Sequence, residues 1–203
     1  MPLIESQILE VLLFSYLLGS FPSGVVFTKI AGSTDIRKMG SGNIGATNVL
    51  RTGNKFLAFL TLISDLGKGL LAIKMANSID PNMNITLVAS LSCLAGHIFP
   101  IWIKFKGGKG VATAIGILFA LSWQTALIVI AIWSIIAAIS RYSSLAALTA
   151  FTTAPLLMTI FENKFQFLAF CLTIIIWITH KKNIKRLFKG QETKINLRKN
   201  KTN

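Results

Sequence analysis

The chain has 203 residues, of which 53% are apolar and only 14% charged, with a mean hydropathy of +0.64. Twenty-one Lys and Arg stand against seven Asp and Glu, a formal net charge of +14. So little charge beside so much apolar surface excludes an ordinary soluble domain, and the same hydrophobicity excludes disorder for the bulk of the chain.

Apolar runs cover about 3–28, 56–76, 85–103, 110–122, 123–140, 143–161 and 165–179. Several approach the ~20 residues that cross the hydrocarbon core as a helix. The pattern predicts an all-α membrane protein, a polytopic bundle of about seven transmembrane helices. The first run carries Glu5 and Glu10 and no Lys or Arg before its apolar stretch. It therefore reads as a retained span rather than a cleaved signal peptide, which wants a positive leading segment. Gly19, Ser20, Ser23 and Gly24 make a small-residue face suited to close helix packing. Asp65 and Lys68 stand at i and i+3 in the second run, where charges are costly and tend to pair inside a bundle. His97, before Ile98-Phe99-Pro100, is expected to hydrogen-bond the bundle core or the first loop. The run 110–122 is short for a span at ~1.5 Å per residue. Were 110–140 one long tilted helix, the count would fall to six and the tail would change sides. Cys93 and Cys171 lie far apart in apolar runs, form no CxxC and read as packed thiols.

The basic residues sort by side. Alternate connecting segments hold Lys29, Arg37, Lys38, Arg51 and Lys55; Lys104, Lys106 and Lys109; Arg141; and nine from Lys181 to Lys201. The intervening segments hold Lys164 alone, and Lys68 and Lys74 lie within the second run. Lys and Arg accumulate on the cytoplasmic side, so the N-terminus is expected outside and the C-terminus in the cytoplasm. Most of the charge is thus topology, and no nucleic-acid partner is expected. Residues 1–190 read as one membrane domain. Residues 191–203 read as a basic cytoplasmic tail, disordered or laid on anionic headgroups.

Three segments on that basic side are more than connectors. Residues 37–54 interleave Gly40, Gly42, Gly45 and Gly53 with Ser41, Asn43, Thr47 and Asn48, flanked by Arg37 and Arg51. Glycines let backbone N–H groups approach an anion, and arginine suits bidentate phosphate contact. The P-loop pattern is absent. Residues 104–113 place Gly107, Gly108 and Gly110 around Lys109, just before an apolar helix whose N-terminus favours anions. At 180–187, His180, Asn183 and Leu187 share one helical face, with Lys182 and Arg186 beside it. Together the three segments suggest a phosphate pocket at the membrane surface.

Gly40-Ser41-Gly42-Asn43-Ile44-Gly45-Ala46-Thr47-Asn48, Gly107-Gly108-Lys109-Gly110 and His180-x-x-Asn183-Ile184-x-Arg186-Leu187 resemble the three motifs of bacterial acyl-phosphate:glycerol-3-phosphate acyltransferases. Leu17–Ser20, Asp65–Gly69 and Ala95–Pro100 fit as well, so the resemblance covers nearly the whole chain. One departure is Thr179, where the family usually has Arg. The resemblance implies transfer of a fatty acyl group from acyl phosphate to the sn-1 hydroxyl of glycerol 3-phosphate, giving lysophosphatidic acid and phosphate. It implies a bacterial cytoplasmic membrane location with the active site facing the cytoplasm, and a functional link to the enzyme that makes acyl phosphate. Ser41, Lys109, His180 and Asn183 are then expected to carry catalysis. Arg51, Gly42, Asn43, Thr47, Asn48, Gly107, Gly108 and Arg186 are expected to bind substrate. No metal or other cofactor is expected, because acidic residues are few and scattered. The His-x-x-x-x-Asp pair of other acyltransferases is absent, since Trp102 and Lys185 stand five residues after His97 and His180. Rival readings are a transporter of phosphorylated solutes, a lipid-recruiting anchor and a CDP-alcohol phosphotransferase. The last demands a carboxylate-rich metal motif, whereas Asp35 and Asp65 are isolated.

Overall fold

The structure, a computed structural model, describes residues 2–195; of the expected tail, residues 196–203 lie outside the described residues. The described residues form helices and turns without a strand. The first apolar run is α1 (Pro2–Ser20) and α2 (Ser23–Ile30), broken at Phe21-Pro22, where proline offers no N–H to the ladder. A short α3 (Ala46–Val49) precedes α4 (Lys55–Ile79) and α5 (Met83–Ile98). The doubtful stretch is two helices, α6 (Val111–Leu121) and α7 (Trp123–Ser140), divided at Ser122, whose hydroxyl accepts from Thr125 N and caps α7. Then come α8 (Ser143–Phe161), α9 (Gln166–Thr179) and α10 (Lys181–Phe188). Among the described residues five helical stretches are long and apolar enough to cross a membrane; α9 with α10 makes a sixth, bent by 60°, and α6 is shorter. The apolar segments fall where expected, and the difference lies in α6, whose 11 residues reach only part-way across a bilayer as a straight helix.

Helices pack α1 on α5, α4 on α6, α7 on α8 and α8 on α9. Glycines set the two closest approaches. A Cβ at Gly96 would overlap the Tyr16 carbonyl, and one at Gly116 the Leu66 carbonyl, so the backbones touch. The core runs through the bundle and includes Phe151, Met158, Leu172 and Ile176, all fully buried. The outward faces carry exposed Leu, Ile and Phe, as lipid contact requires.

Backbone groups freed inside the bundle find partners, as a lipid environment demands. Pro155 interrupts α8 and cannot bond the Phe151 carbonyl. Thr173 Oγ1 on α9 donates to that carbonyl instead, at 2.7 Å. At the α1–α2 break, the Phe21 carbonyl accepts from Lys68 Nζ at 3.2 Å. Lys68 also pairs with Asp65 at 2.9 Å, as their spacing predicts.

The connection between α2 and α4 is itself folded. Ile36, Ile44, Val49, Leu57 and Ala58 bury together as a small second core. Asp35 accepts from the Arg37 backbone and caps a 3-10 turn at Ile36–Lys38. This core anchors the glycine-rich segment to the end of α4.

Candidate active site

A cavity of about 510 Å³ opens at this end of the bundle. All three polar segments reach it: Ser41–Arg51 from the first, Lys109–Ala112 from the second, and His180 and Asn183 from the third. Its polar end passes into an apolar stretch lined by Phe59 and Leu62 of α4, Ile115 of α6, and Ile130 and Trp133 of α7.

Positive charge dominates the polar end. The two arginines flanking the first segment behave differently. Arg37 is held by Asp35, with Nη2 2.7 Å and Nε 2.9 Å from its carboxylate oxygens. Arg51 is not held so. Its Nη1 is buried without a partner, and its Nη2 makes one long bond, 3.4 Å, to the Thr193 carbonyl. Among the described residues Lys109 Nζ has neither hydrogen bond nor ion pair. Burial, chiefly, pushes the Lys109 ammonium down to about 8, with Arg186 and Arg51 adding repulsion and Glu192 opposing it. Burial also lowers Arg51, again opposed by Glu192. Two partly buried cations, neither of them in an ion pair among the described residues, make a place for an anion. Gly110, Val111 and Ala112 bring the N-terminus of α6, with its free N–H groups, to the same end.

The first segment is organised by Asn48. Its Nδ2 donates to the carbonyls of Ile36, Met39 and Asn43 at 2.8–3.0 Å, and its Oδ1 accepts from Ser41 N at 3.1 Å. The amide is fully engaged, so Asn48 shapes the cavity wall rather than offering a hand to substrate. Gly40 permits the turn: its φ is +54°, and a Cβ would overlap Asn48 Oδ1 and crowd the Arg51 side chain. Ser41 Oγ accepts from Asn43 N at a long 3.4 Å, which leaves its O–H available. Thr47 Oγ1 lies 3.2 Å from Ser143 Oγ and ties this segment to α8.

His180 stands at the α9–α10 bend. Its Nδ1 donates to the Ile176 carbonyl at 2.7 Å, which leaves Nε2 of the neutral ring as an acceptor. The bend separates His180 from the helix that carries Asn183, so the two do not share one continuous helical face. Thr179, at the departure from the family motif, has its hydroxyl 3.1 Å from the Lys109 carbonyl and 2.9 Å from that of Ile176.

The structure thus brings Ser41, Asn43, Thr47, Asn48, Arg51, Lys109, His180 and Asn183 to one cavity and leaves Gly42, Gly107, Gly108 and Arg186 out of its lining. Gly42 makes a turn at φ +70° beside the Arg37 carbonyl. Gly107 and Gly108 pack against His97. Arg186 is occupied by Glu192, Nε to Oε2, at 2.6 Å.

Glu192 is the largest addition to the expected set. It falls in the segment expected to be a disordered tail, yet Gln191–Ile195 fold back over the site. Glu192 Oε1 accepts from Asn183 Nδ2 at 2.6 Å and from Ser144 Oγ at 2.9 Å. The Ile195 carbonyl accepts from the Arg141 guanidinium at 3.1 Å. Burial pushes the Glu192 carboxyl up, but hydrogen bonds from Arg186, Asn183 and Ser144 outweigh it and hold the group below its usual range. The available signal was a lone acid in a basic run. Ser143 and Ser144 were missed too; their mark is a pair of hydroxyls at the head of α8. Among the described residues no three His, Cys, Asp or Glu side chains gather as metal ligands.

Comparison with known proteins agrees with this geometry. A family model described as glycerol-3-phosphate acyltransferase matches residues 9–190. A glycerol-3-phosphate acyltransferase of Nitrobacter winogradskyi is 50% identical over 183 residues, 90% of this chain and 93% of the relative. One from Mesorhizobium japonicum is 50% identical over 185 residues, 91% of this chain and 94% of the relative. Among solved structures, PlsY (YgiH), an integral membrane glycerol 3-phosphate acyltransferase, superposes in its glycerol 3-phosphate form with a TM-score of 0.87 at 37% identity, covering 93% of this chain and 96% of that one. Its lysophosphatidic acid form gives 0.85 at 36% identity, covering 94% and 96%. With the matching family model spanning nine-tenths of its length and three motifs meeting at one cationic cavity, the chain belongs to the glycerol-3-phosphate acyltransferase family.

Proposed function

We propose that this protein transfers a fatty acyl group from acyl phosphate to the sn-1 hydroxyl of glycerol 3-phosphate, releasing lysophosphatidic acid and phosphate. The observation that carries the reading is the two-sided cavity. Two partly buried cations outside any ion pair among the described residues, Arg51 and Lys109, stand at one end, and apolar side chains of α4, α6 and α7 line the other. An amphiphile with a phosphoryl head and an alkyl tail matches both ends at once.

The chemistry suits the residues. Acyl phosphate is a mixed anhydride with a good leaving group, so the protein needs to gather two anions and orient them rather than furnish a strong nucleophile. Arg51 and Lys109 hold phosphate. The Ser41 hydroxyl and Asn43 amide face the reacting carbonyl and its developing oxyanion. The acceptor hydroxyl attacks the carbonyl carbon, the carbon–oxygen bond to phosphate breaks, and inorganic phosphate departs. His180 Nε2 and Asn183 hydrogen-bond glycerol 3-phosphate at its attacking hydroxyl, and a neutral His180 accepts the proton. The acyl tail lies along Phe59, Leu62 and Trp133, of which Phe59 is 56% exposed on the outer face of the bundle, so the groove opens toward lipid. With most basic segments cytoplasmic, the site faces the cytoplasm and the N-terminus lies outside. The product enters phospholipid synthesis in the bacterial cytoplasmic membrane, downstream of the enzyme that makes acyl phosphate.

The test is purified protein in detergent with labelled glycerol 3-phosphate and, separately, palmitoyl phosphate, palmitoyl-CoA or palmitoylated acyl carrier protein. Lysophosphatidate is expected from palmitoyl phosphate alone; formation from the thioesters only would overturn the choice of donor.

A further inference from the structure

Within the cavity wall, which Asp65 and His97 help to line, polar side chains from α2, α4 and α5 meet around one carboxylate oxygen. Asp65 Oδ1 accepts from Ser23 Oγ at 2.6 Å and lies 2.9 Å from Lys68 Nζ and 3.6 Å from His97 Nδ1. Asp65, Lys68 and His97 are each at most 4% exposed. None has a part in the chemistry described above. The Asp65–Lys68 pair is complete without the histidine, since Ser23 and the Phe21 carbonyl take up the remaining contacts. His97 Nδ1 faces that carboxylate at 3.6 Å, a long contact beside the 2.6 and 2.9 Å bonds of Ser23 and Lys68. So long a contact repays little of the cost of burying an imidazole, and the ring needs a further reason to be there.

The other edge of the ring does account for it. A Cβ added at Gly108 would overlap His97 Nε2, and one at Gly107 would overlap the His97 carbonyl. That carbonyl accepts from Gly108 N at 3.0 Å, and the next, of Ile98, accepts from Gly107 N at 3.1 Å. The turn before Lys109 is therefore gripped by His97 through both ring and backbone. On its far side the Lys109 carbonyl meets Thr179. Glycines at 107 and 108 are explained by this grip, since neither lines the cavity.

We propose that His97 and Asp65 are positioning residues for acyl transfer: a buried brace that sets the Gly107–Lys109 turn and with it the place of the Lys109 ammonium. The inference rests on the reading of Lys109 as a phosphate contact. It gives the acid and histidine of this wall a part in the reaction through Lys109 rather than through the reacting atoms.

A double-mutant cycle on the full-length enzyme in detergent tests it. His97→Asn is expected to lower kcat/KM by about tenfold or more in the wild-type background, the scale of a small misplacement. In a Lys109→Gln background the same change is expected to cost less than about twofold, because the residue it acts through is gone. Asp65→Asn, of equal size, is expected to show the same pattern, and Gly108→Ala replaces His97→Asn should that variant not fold. Thermal stability is followed throughout, since a merely structural role lowers activity by the same factor in both backgrounds. Equal losses in both backgrounds, with Lys109→Gln itself impaired, overturn the brace alone. A fully active Lys109→Gln enzyme overturns the phosphate contact and the brace together.

Discussion

Glu192 and Arg186, six residues apart across the end of α10, meet at 2.6 Å from Oε2 to Nε. The same carboxylate holds Asn183, a residue of the third motif, so one acid fixes both the amide and the guanidinium on that helix. Replacing Glu192 with Ala strips three donors of their acceptor. The expected result is a loss of about 1.5–3 kcal/mol in stability, the range for hydrogen bonds to a charged group at a partly buried site. Activity is expected to fall at least about tenfold through Asn183. Thermal unfolding in detergent and steady-state kinetics check this; an Ala variant with unchanged Tm and kcat/KM contradicts the assignment.

Lys109 sets an alkaline limit. Its pKa is pushed down to about 8 from 10.5, and only the ammonium attracts phosphate. In the free enzyme kcat/KM is therefore expected to fall about tenfold per pH unit above 8. Bound phosphate favours the charged form, so the limb in kcat lies at higher pH. The stability effect has the opposite sign: between about 8 and 10.5 the unfolded chain holds the proton that the folded one releases, and folding stability rises with pH through that window. Lys109→Arg, which does not titrate there, is expected to erase the limb even where its rate is lower. A pH–rate profile identical in the two enzymes would assign the limb to another group.

In the proposed reaction Arg51 would grip an anion in the ground state as well as in the transition state. Arg51→Ala is expected to raise KM for glycerol 3-phosphate by about tenfold or more with a much smaller change in kcat. An unchanged KM argues that the acyl phosphate head, not glycerol 3-phosphate, sits there.

Thr179 stands where the motif resemblance leads one to expect arginine, and its hydroxyl reaches the Lys109 carbonyl. Thr179→Val keeps the shape and removes the bond. A loss of about 1 kcal/mol in stability is expected, with a several-fold drop in kcat/KM. A fully active, equally stable Val variant shows that the bond to Ile176 is the one that counts.

The bundle was largely legible in the sequence because a bilayer leaves few alternatives: each apolar run became helical, the first of them in two pieces broken at Phe21-Pro22. The motif residues that face the cavity were legible for a similar reason, since Ser41, Arg51, Lys109 and His180 interrupt apolar or glycine patterns that topology alone does not explain. What stayed hidden depends on turns. Arg37 and Arg51 look alike in sequence, but a 3-10 cap hands Arg37 to Asp35 and leaves Arg51 bare. Asn48 has the composition of a substrate donor, yet three carbonyls of its own loop consume it. Glu192 reads as filler in a basic tail until the 60° bend after α9 brings it back over Asn183.

That return has a consequence for biogenesis. Glu192 and Thr193 follow every described span, and they complete a wall whose other parts begin at Ser41. A ribosome that has delivered the glycine-rich segment and even the lysine turn has delivered no closed site. The wall is complete only once the segment after the last helix is in place, so a half-inserted chain lacks part of the pocket.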